Sequence, residues 1–176
     1  MLIHTFWGML PGEESFPFPC DKFSGNFDGT YFRGITIDAK PDVIFQWLIQ
    51  MRLAPYSYDW INNLGRASPR RILNDQPDLQ IGQTMMHIFD VVQFNIPYDL
   101  TLRVKPRSFG QLLFGDILLS YQIVPVDNHS SRLLVKIKRK FNRGPLGVFM
   151  RHFLPWANLI MHRKQLMLFK ELSENK

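Results

Sequence analysis

Asp59 is the strongest single candidate for acid-base chemistry in this sequence. It lies in the run Tyr-Ser-Tyr-Asp-Trp at residues 56–60. A carboxylate held among such rings can act as a general acid or base, because apolar surroundings disfavour its charged form. The alternative is that Asp59 caps a neighbouring residue or pairs with Arg66 or Arg70, as an Asp in the first turns of a short helix usually does. The sequence leaves both roles open.

Arg103 is a second candidate, because a cation is a common polar group in an apolar binding pocket. It stands between Leu102 and Val104 in an apparent strand. Alternation along a strand puts Leu100, Leu102 and Val104 on one face and Arg103 on the other. The pattern therefore favours an outward-facing Arg103 over one that anchors a carboxylate or enol oxygen.

The histidines and the cysteine give no metal or cofactor motif. The five histidines are dispersed: His4, His87, His129, His152 and His162. None begins a metal-ligand pattern, and Cys20 is the only cysteine, which rules out an intramolecular disulfide and a thiolate cluster. His152 and His162 are interpreted as partly exposed residues, with a polar pocket group as the alternative. No phosphate loop, dinucleotide fingerprint or nucleophile elbow is present, so no cofactor is expected.

Positive charge is concentrated near the end of the chain. The net charge is +6, and residues 132–170 contain ten Lys or Arg and no Asp or Glu. Lys136, Lys138 and Lys140 alternate with apolar residues and are predicted to form a solvated sheet face. Contact with an anionic membrane is the alternative, whereas nucleic acid is not expected because no aromatic residues alternate with the lysines. Arg139 interrupts the apolar side, where its long side chain is expected to reach water.

The composition is that of one globular domain. The chain has 176 residues, of which 45% are hydrophobic and 14% aromatic. The aromatic residues fill a bulky core or line a pocket. The apolar N-terminus has no basic leader, and no stretch reaches the roughly 20 apolar residues of a spanning helix, so a soluble cytoplasmic protein is expected.

Hydrophobic periodicity predicts an α+β fold. Residues 1–30 are predicted to be an extended arm, and residues 31–176 the domain. A strand at 31–37 precedes two short helices, which begin near Pro41 and Tyr56. Strands are then predicted at 83–89, 99–105, 111–114, 117–125 and 132–141. Because no helices intervene, they are expected to form an antiparallel meander.

A long C-terminal helix is predicted over residues 146–173. Its apolar residues recur at helical spacing and are expected to face the sheet, while Asn158, His162 and Gln165 lie elsewhere on the helix. The apolar set is Phe149, Phe153, Trp156, Ile160 and Met167. Pro155 is expected to kink or split the helix.

Several segments resemble uncharacterised bacterial members of the START-like, polyketide cyclase-like superfamily over about residues 31–172. They are Trp47-Leu-Ile-Gln50, the run from Ala54 to Leu64 that contains Tyr-Ser-Tyr-Asp-Trp, Leu154-Pro-Trp156 and Met161-His-Arg-Lys-Gln-Leu166. The resemblance implies a helix-grip fold, in which a curved antiparallel sheet wraps around a long C-terminal helix. It also implies a cavity between them for lipids, polyketides, quinones or other apolar molecules.

The first hypothesis is a non-enzymatic binder or carrier of an apolar small molecule. The residues expected on or near its cavity are Trp47, Tyr58, Trp60, Phe149, Phe153 and Trp156. The second hypothesis is a polyketide cyclase or dehydratase that uses the same cavity, with Asp59 or a tyrosine hydroxyl moving protons. A third is a basic module that acts on membrane or RNA through its surface.

Overall fold

The protein is described by a computed structural model that covers residues 4–54, 56, 69–73 and 78–175. A curved, unclosed sheet of seven strands and a long C-terminal helix form an α+β fold, which confirms the predicted fold class. The strands are β1 (Phe6–Trp7), β2 (Gly29–Ile37), β3 (Thr84–Met85), β4 (Phe89–Asn95), β5 (Asp99–Val104), β6 (Asp116–Pro125) and β7 (Ser131–Lys140). The helices are α1 (Pro41–Gln50), α2 (Phe109–Phe114) and α3 (Pro145–Glu174). The second predicted short helix lies outside the described residues apart from Tyr56.

The sheet has the order β1-β2-β7-β6-β5-β4-β3. Every neighbouring pair between β2 and β3 in this spatial order is antiparallel, as a meander requires. The pair β1–β2 is parallel. The main core lies on the concave face of the sheet, where alternate residues of β5, β6 and β7 meet α1 and α3. Leu100, Tyr121 and Val135 form one cross-strand row of this face.

The N-terminal residues cover the convex face. After β1 the chain makes two short 3-10 turns, Glu13–Ser15 and Pro19–Lys22. A second apolar cluster of Phe18, Cys20, Phe32, Leu118 and Leu134 joins this segment to the outer side of β2, β6 and β7. The division of the chain at residue 30 stays a prediction.

Two of the predicted strands are wrong in detail. Residues 83–89 do not form one strand, because Met86 and His87 adopt left-handed conformations, with φ of 47° and 65°, and turn the chain between β3 and β4. The predicted strand at 111–114 is part of the helix α2. Ser108 begins this helix by accepting a 3.1 Å hydrogen bond from the Gln111 amide, a standard N-cap interaction.

Two of the three lysines predicted to form a solvated face on β7, Lys136 and Lys138, are covered, whereas Lys140 is exposed. The side chains of Lys136 and Lys138 are only 12% and 16% exposed, and both form ion pairs with Asp21 in the second 3-10 turn. Burial raises the pKa of the Asp21 carboxyl, but hydrogen bonds from the two ammonium groups lower it overall. The prediction failed because the N-terminal segment, which has no sequence periodicity, covers this surface.

Helix α3 is continuous through Pro155, so the predicted split does not occur. The orientation of the helix is also opposite to the prediction. The apolar set Phe149, Phe153, Trp156, Ile160 and Met167 points away from the sheet, and we call it the outer stripe. Phe149, Phe153 and Trp156 are 61%, 56% and 50% exposed. The residues that face the sheet from the N-terminal two thirds of α3 recur every three or four positions. We call them the inner strip: Leu154, Asn158, His162 and Gln165.

Candidate functional site

Two arginines lie on the apolar concave face beneath α3. Arg33 on β2 is completely buried, and Arg139 on β7 is 5% exposed. Arg33 pairs with Val135 across the strands, and Arg139 pairs with Ile117. The expectation that Arg139 reaches water is therefore wrong, because its strand position points it under the helix. Charged side chains are seldom fully buried unless they are paired, so these two define the candidate site.

Arg33 is held by backbone carbonyl groups of the N-terminal arm and of its own strand. Its Nη1 donates to the carbonyl oxygens of Thr5 at 2.9 Å and Phe32 at 2.7 Å, and its Nη2 donates to the carbonyl of His4 at 2.8 Å. Its Nε is buried and has no partner among the described residues. The Nε donor of this guanidinium therefore has no acceptor among the described residues.

Arg139 is less satisfied than Arg33. Its Nε and Nη1 are both buried, and neither has a hydrogen-bond partner in the described part of the chain. The Phe141 ring, whose centroid is 5.8 Å from the guanidinium carbon, covers one side. No carboxylate among the described residues forms an ion pair with either arginine. Burial lowers the pKa of each to about 10, so both stay protonated at neutral pH.

Tyr31 lies on the same face between the two arginines. Its ring centroid is 6.0 Å from the guanidinium carbon of Arg33. Its hydroxyl lies over Gly29, the residue that pairs with Arg139, where a Cβ would be only 2.9 Å from the oxygen. Burial raises the pKa of the Tyr31 phenol, and the two arginines partly oppose this increase. The phenol is therefore neutral and can donate or accept a hydrogen bond.

The inner strip of α3 places polar groups opposite these cations. His162 is partly exposed as a residue, but its Nδ1 is buried and has no described partner. Burial, followed by the charges of Arg33 and Arg139, lowers the pKa of His162 to about 3, although a hydrogen bond with Gln165 opposes the decrease. The imidazole is therefore neutral. Oδ1 of Asn158 is buried without a described partner as well. The sheet and the helix thus present unused polar atoms to each other.

The N-terminal arm closes the edge of the site beside β2. The His4 ring lies 5.2 Å from the ring of Trp156, and the guanidinium carbon of Arg163 is 5.7 Å from the Trp7 ring. These contacts join the arm to α3, while the carbonyl groups of His4 and Thr5 bind Arg33. The arm is therefore one wall of the site.

The structure does not bring the predicted cavity residues together. Trp47 is buried in α1, where its ring meets the Tyr56 ring edge-on at 5.9 Å, and it lines an open groove of about 360 Å³ with Arg70, Arg71 and Leu172. Phe149, Phe153 and Trp156 are on the outer stripe of α3. Tyr58, Trp60 and the acid candidate Asp59 lie outside the described residues. A shared cavity for this set stays a prediction.

Arg103 lies away from the concave face, as strand alternation predicts. Its Nε and Nη2 donate to the two carboxylate oxygens of Asp116 at 3.2 and 2.6 Å. The side chain is 38% exposed, and the hydrogen bonds that it donates to Asp116 raise the pKa of the guanidinium. Arg103 is therefore engaged by the protein itself and does not belong to the site.

Sequence reasoning missed Arg33, Tyr31 and Asn158 as site residues. The signal that could have identified them is a polar or charged residue within the apolar face of each of two predicted strands. In β2, Tyr31 and Arg33 share a face with Ile35 and Ile37, and in β7 Arg139 follows Leu133, Val135 and Ile137 at every second position. A cation on the apolar face of each of two neighbouring strands indicates a charged interior.

The described residues include no group of three His, Cys, Asp or Glu side chains that could hold a metal ion. No helix in the described ranges is long and apolar enough to cross a membrane.

Comparison with solved structures shows what the chain is similar to. Hypothetical protein jhp0584 from Helicobacter pylori aligns with a TM-score of 0.59 and 14% identity, covering 89% of this chain and 95% of that one. Protein CV1439 from Chromobacterium violaceum aligns with a TM-score of 0.53 and 12% identity, covering 84% and 98%. The di-domain ARO/CYC BexL from the BE-7585A biosynthetic pathway aligns with a TM-score of 0.51 and 14% identity, covering 84% of this chain and 50% of BexL.

No protein-family model matches the sequence, and no curated protein matches it either. Identities of 12% to 14% establish a shared fold and leave function to be argued from the site. The curved sheet, the C-terminal helix across it and the alignment with an ARO/CYC protein together show that this chain has the START-like, polyketide cyclase-like helix-grip fold.

Proposed function

We propose that this protein binds and carries an apolar small molecule between the concave face of the sheet and the N-terminal part of α3. The observation that supports this most is the set of buried polar atoms on Arg33, Arg139, Asn158 and His162 that lack partners among the described residues. Such atoms are rare in folded proteins because they have lost water without gaining another hydrogen bond. A bound ligand would supply the missing partners.

The packing of α3 supports the same location. The residues of α3 that belong to the main core are Leu166, Phe169 and Leu172, all in the last third of the helix. Leu154 is buried apart from that core, and Asn158 and His162 are the next residues of the inner strip. The sheet therefore grips the helix firmly at one end and meets it through polar groups at the other.

The surroundings suit an apolar ligand body. The concave face beside the arginines is built from Leu119, Val135, Ile137 and Ile117. Transfer of apolar surface from water to such a face is favourable by roughly 25 cal/mol per Å². A few polar groups in an apolar pocket then fix the orientation of the ligand.

The experiment is native mass spectrometry of protein purified from its own host, combined with binding of the neutral fluorophore N-phenyl-1-naphthylamine. We expect an apolar molecule to co-purify with the protein. We also expect the fluorescence of N-phenyl-1-naphthylamine to increase on binding, and an organic extract of the purified protein to reverse this increase by displacing the fluorophore. Asn158→Phe should abolish the increase by filling the space between helix and sheet. Ile160→Phe is the matched control, because Ile160 is on the outer stripe and 52% exposed. Equal fluorescence from both variants would contradict the proposed location.

The cyclase or dehydratase hypothesis is the alternative, and the alignment with the ARO/CYC protein BexL is its support. Its acid candidate, Asp59, lies outside the described residues. Under the carrier proposal, Asp59→Asn leaves fluorophore binding unchanged and no product of the bound molecule accumulates. Conversion of the co-purified molecule by the wild type, lost in Asp59→Asn, would establish the enzyme instead.

A carrier of apolar molecules has to collect them, and the outer stripe of α3 offers a surface for contact with an anionic membrane. Phe149 and Phe153 stack with ring centroids 5.9 Å apart, and both are more than half exposed. The exposed residues near the start of α3 include Arg143 and Arg151, which attract anionic lipid headgroups. Exposed apolar side chains flanked by basic residues are typical of helices that lie in the membrane interface.

Sedimentation with lipid vesicles tests this contact. We expect binding to vesicles that contain phosphatidylglycerol and much weaker binding to pure phosphatidylcholine vesicles. Phe149→Ser combined with Phe153→Ser should weaken it by about tenfold or more, which corresponds to roughly 1.4 kcal/mol. Ser substitutions at Lys136 and Lys138, which pair with Asp21, are the control. Equal binding to both kinds of vesicle would remove the electrostatic part of the proposal.

A further inference from the structure

We infer that the ligand is an amphipathic carboxylate, whose apolar body lies on the concave face and whose carboxylate binds Arg139 and Arg33 beneath α3. The inference rests on the proposed function and adds the chemical class of the ligand. It assigns to these two arginines a role that a neutral apolar cargo would not require.

Arg139 is the main anchor. A guanidinium has five N–H donors and always carries its charge, so a buried one without an acceptor is strongly unfavourable. At 5% exposure, with Nε and Nη1 both unpartnered among the described residues, Arg139 has the Phe141 ring beside it but no described carboxylate paired with it. The neighbouring acid, Asp28, accepts a 2.8 Å hydrogen bond from the Phe141 amide and lies 3.9 Å from Arg151. Its charge acts on Tyr31, but it forms no described ion pair with Arg139.

Arg33 reinforces the positive field at the same place. Its carbonyl partners satisfy Nη1 and Nη2 but supply no negative charge, and its Nε remains unpartnered in the described part of the chain. Both arginines act on Tyr31 and on His162, which places those two residues within electrostatic reach of both cations. Arg139 pairs with Gly29, four residues before Arg33 on β2, so the two positive charges lie on either side of Tyr31 on the concave face.

The other groups at the patch are neutral and polar. His162 is an uncharged imidazole, Tyr31 an uncharged phenol and Asn158 an amide. Such groups can bond to the oxygens of an anion without adding charge of either sign. A carboxylate matches the planar guanidinium geometry, and as a single negative charge it offsets one of the two buried cations.

The apolar surroundings exclude a small hydrated anion as the natural ligand. Tyr31 shares its cross-strand row with Ile137, Leu119 and Leu102, which form an apolar surface next to the arginines. These residues are buried, so a small anion would have to lose its hydration to reach the arginines. A molecule with a carboxylate at one end and a hydrocarbon body satisfies both parts.

The test compares dodecanoate with 1-dodecanol, which share a chain and differ in charge. Isothermal titration calorimetry on delipidated full-length protein should give at least about tenfold tighter binding of dodecanoate. Arg139→Met keeps the apolar stem of the side chain and removes its charge, so it should weaken dodecanoate binding by about tenfold and abolish the preference over dodecanol. Arg103→Met, which removes a cation from the Asp116 pair outside the site, should keep the preference.

The outcomes separate this inference from the proposed function. Equal affinities of wild-type protein for dodecanoate and dodecanol would overturn the carboxylate inference and leave apolar binding standing. A preference that survives Arg139→Met and Arg33→Met would also overturn it. Failure to bind N-phenyl-1-naphthylamine, dodecanol and dodecanoate would contradict the proposed function itself. Arg139→Gln, with circular dichroism to verify folding, replaces Arg139→Met if that variant does not fold.

Discussion

The hydroxyl of Tyr121 donates a 2.7 Å hydrogen bond to Oε1 of Gln165 in the middle of the concave face. Both residues are buried, and burial strongly raises the pKa of the Tyr121 phenol, so the hydroxyl remains a donor throughout the accessible pH range. Nε2 of Gln165 lies 3.5 Å from the sulfur of Met51, just beyond α1. The Gln165 amide therefore links the sheet, α3 and the end of α1.

Replacing Tyr121 by Phe should lower the free energy of unfolding by about 0.5–1.5 kcal/mol, because the buried hydrogen bond between Tyr121 and Gln165 is lost. Urea unfolding followed by circular dichroism measures the change. Tyr98→Phe is the control, since Tyr98 is 45% exposed at the turn before β5. An unchanged midpoint for Tyr121→Phe would mean that Gln165 finds another donor and that this link is not needed.

Glu13 and Arg132 form the ion pair that fastens the N-terminal arm to the sheet. Nε and Nη2 of Arg132 each donate to a Glu13 oxygen at 2.7 Å, and the two side chains are only 7% to 8% exposed. Glu13→Ala should lower the free energy of unfolding by about 3–5 kcal/mol, because it leaves a buried guanidinium unpaired. Thermal and urea unfolding should both show this loss of stability. Replacing the neighbouring Glu14 by Ala should have a small effect. Similar losses for the two variants would contradict the anchoring role.

Cys20 should be chemically inert in the folded protein. It is completely buried in the convex-side cluster, and burial, followed by the charge of Asp21, raises the pKa of its thiol from 9.0 to about 11. Because the thiolate is the reactive form, its fraction at pH 8 falls about a hundredfold from this shift alone. Reaction with Ellman's reagent should be slow in buffer and fast in urea. A native rate close to the unfolded rate would show that the N-terminal segment opens readily.

The sequence predicts those elements that have strong periodicity and clear ends. Alternation in residues 133–137 identifies the concave side of β7, and the predicted final helix, 146–173, agrees with α3 within one residue at each end. The 3-10 turns and α2 were missed because local hydrogen bonds decide them, such as the bond from the Gln111 amide to Ser108. No period in the sequence records such a contact.

The site was mostly missed because periodicity shows that a helix has an apolar stripe, not what covers it. Assigning the outer stripe to the sheet put Phe149 inside and Asn158 outside, the reverse of the structure. The inner strip is polar where it faces Arg33 and Arg139, and Arg33 is more than 100 positions away from it in the sequence. Only the three-dimensional structure brings β2, β7 and α3 together.

His162 should make the stability of the protein depend on pH. Its pKa is near 6.5 in the unfolded chain, and burial lowers it to about 3 in the folded one. Between these values the unfolded chain binds a proton that the folded chain does not, so the free energy of unfolding falls as the pH decreases below about 6.5. From pH 7 to pH 5 this contributes a loss of about 2 kcal/mol.

His162→Gln removes this proton uptake and should reduce the loss between pH 7 and pH 5 by that amount in urea titrations at the two pH values. His129→Gln, in the exposed turn before β7, is the matched control. The direction also bears on the ligand, because a bound carboxylate beside the imidazole would favour its charged form and weaken the pH dependence. If His162→Gln and wild-type protein lose the same stability, the imidazole is not desolvated beneath α3, and the site is open to water.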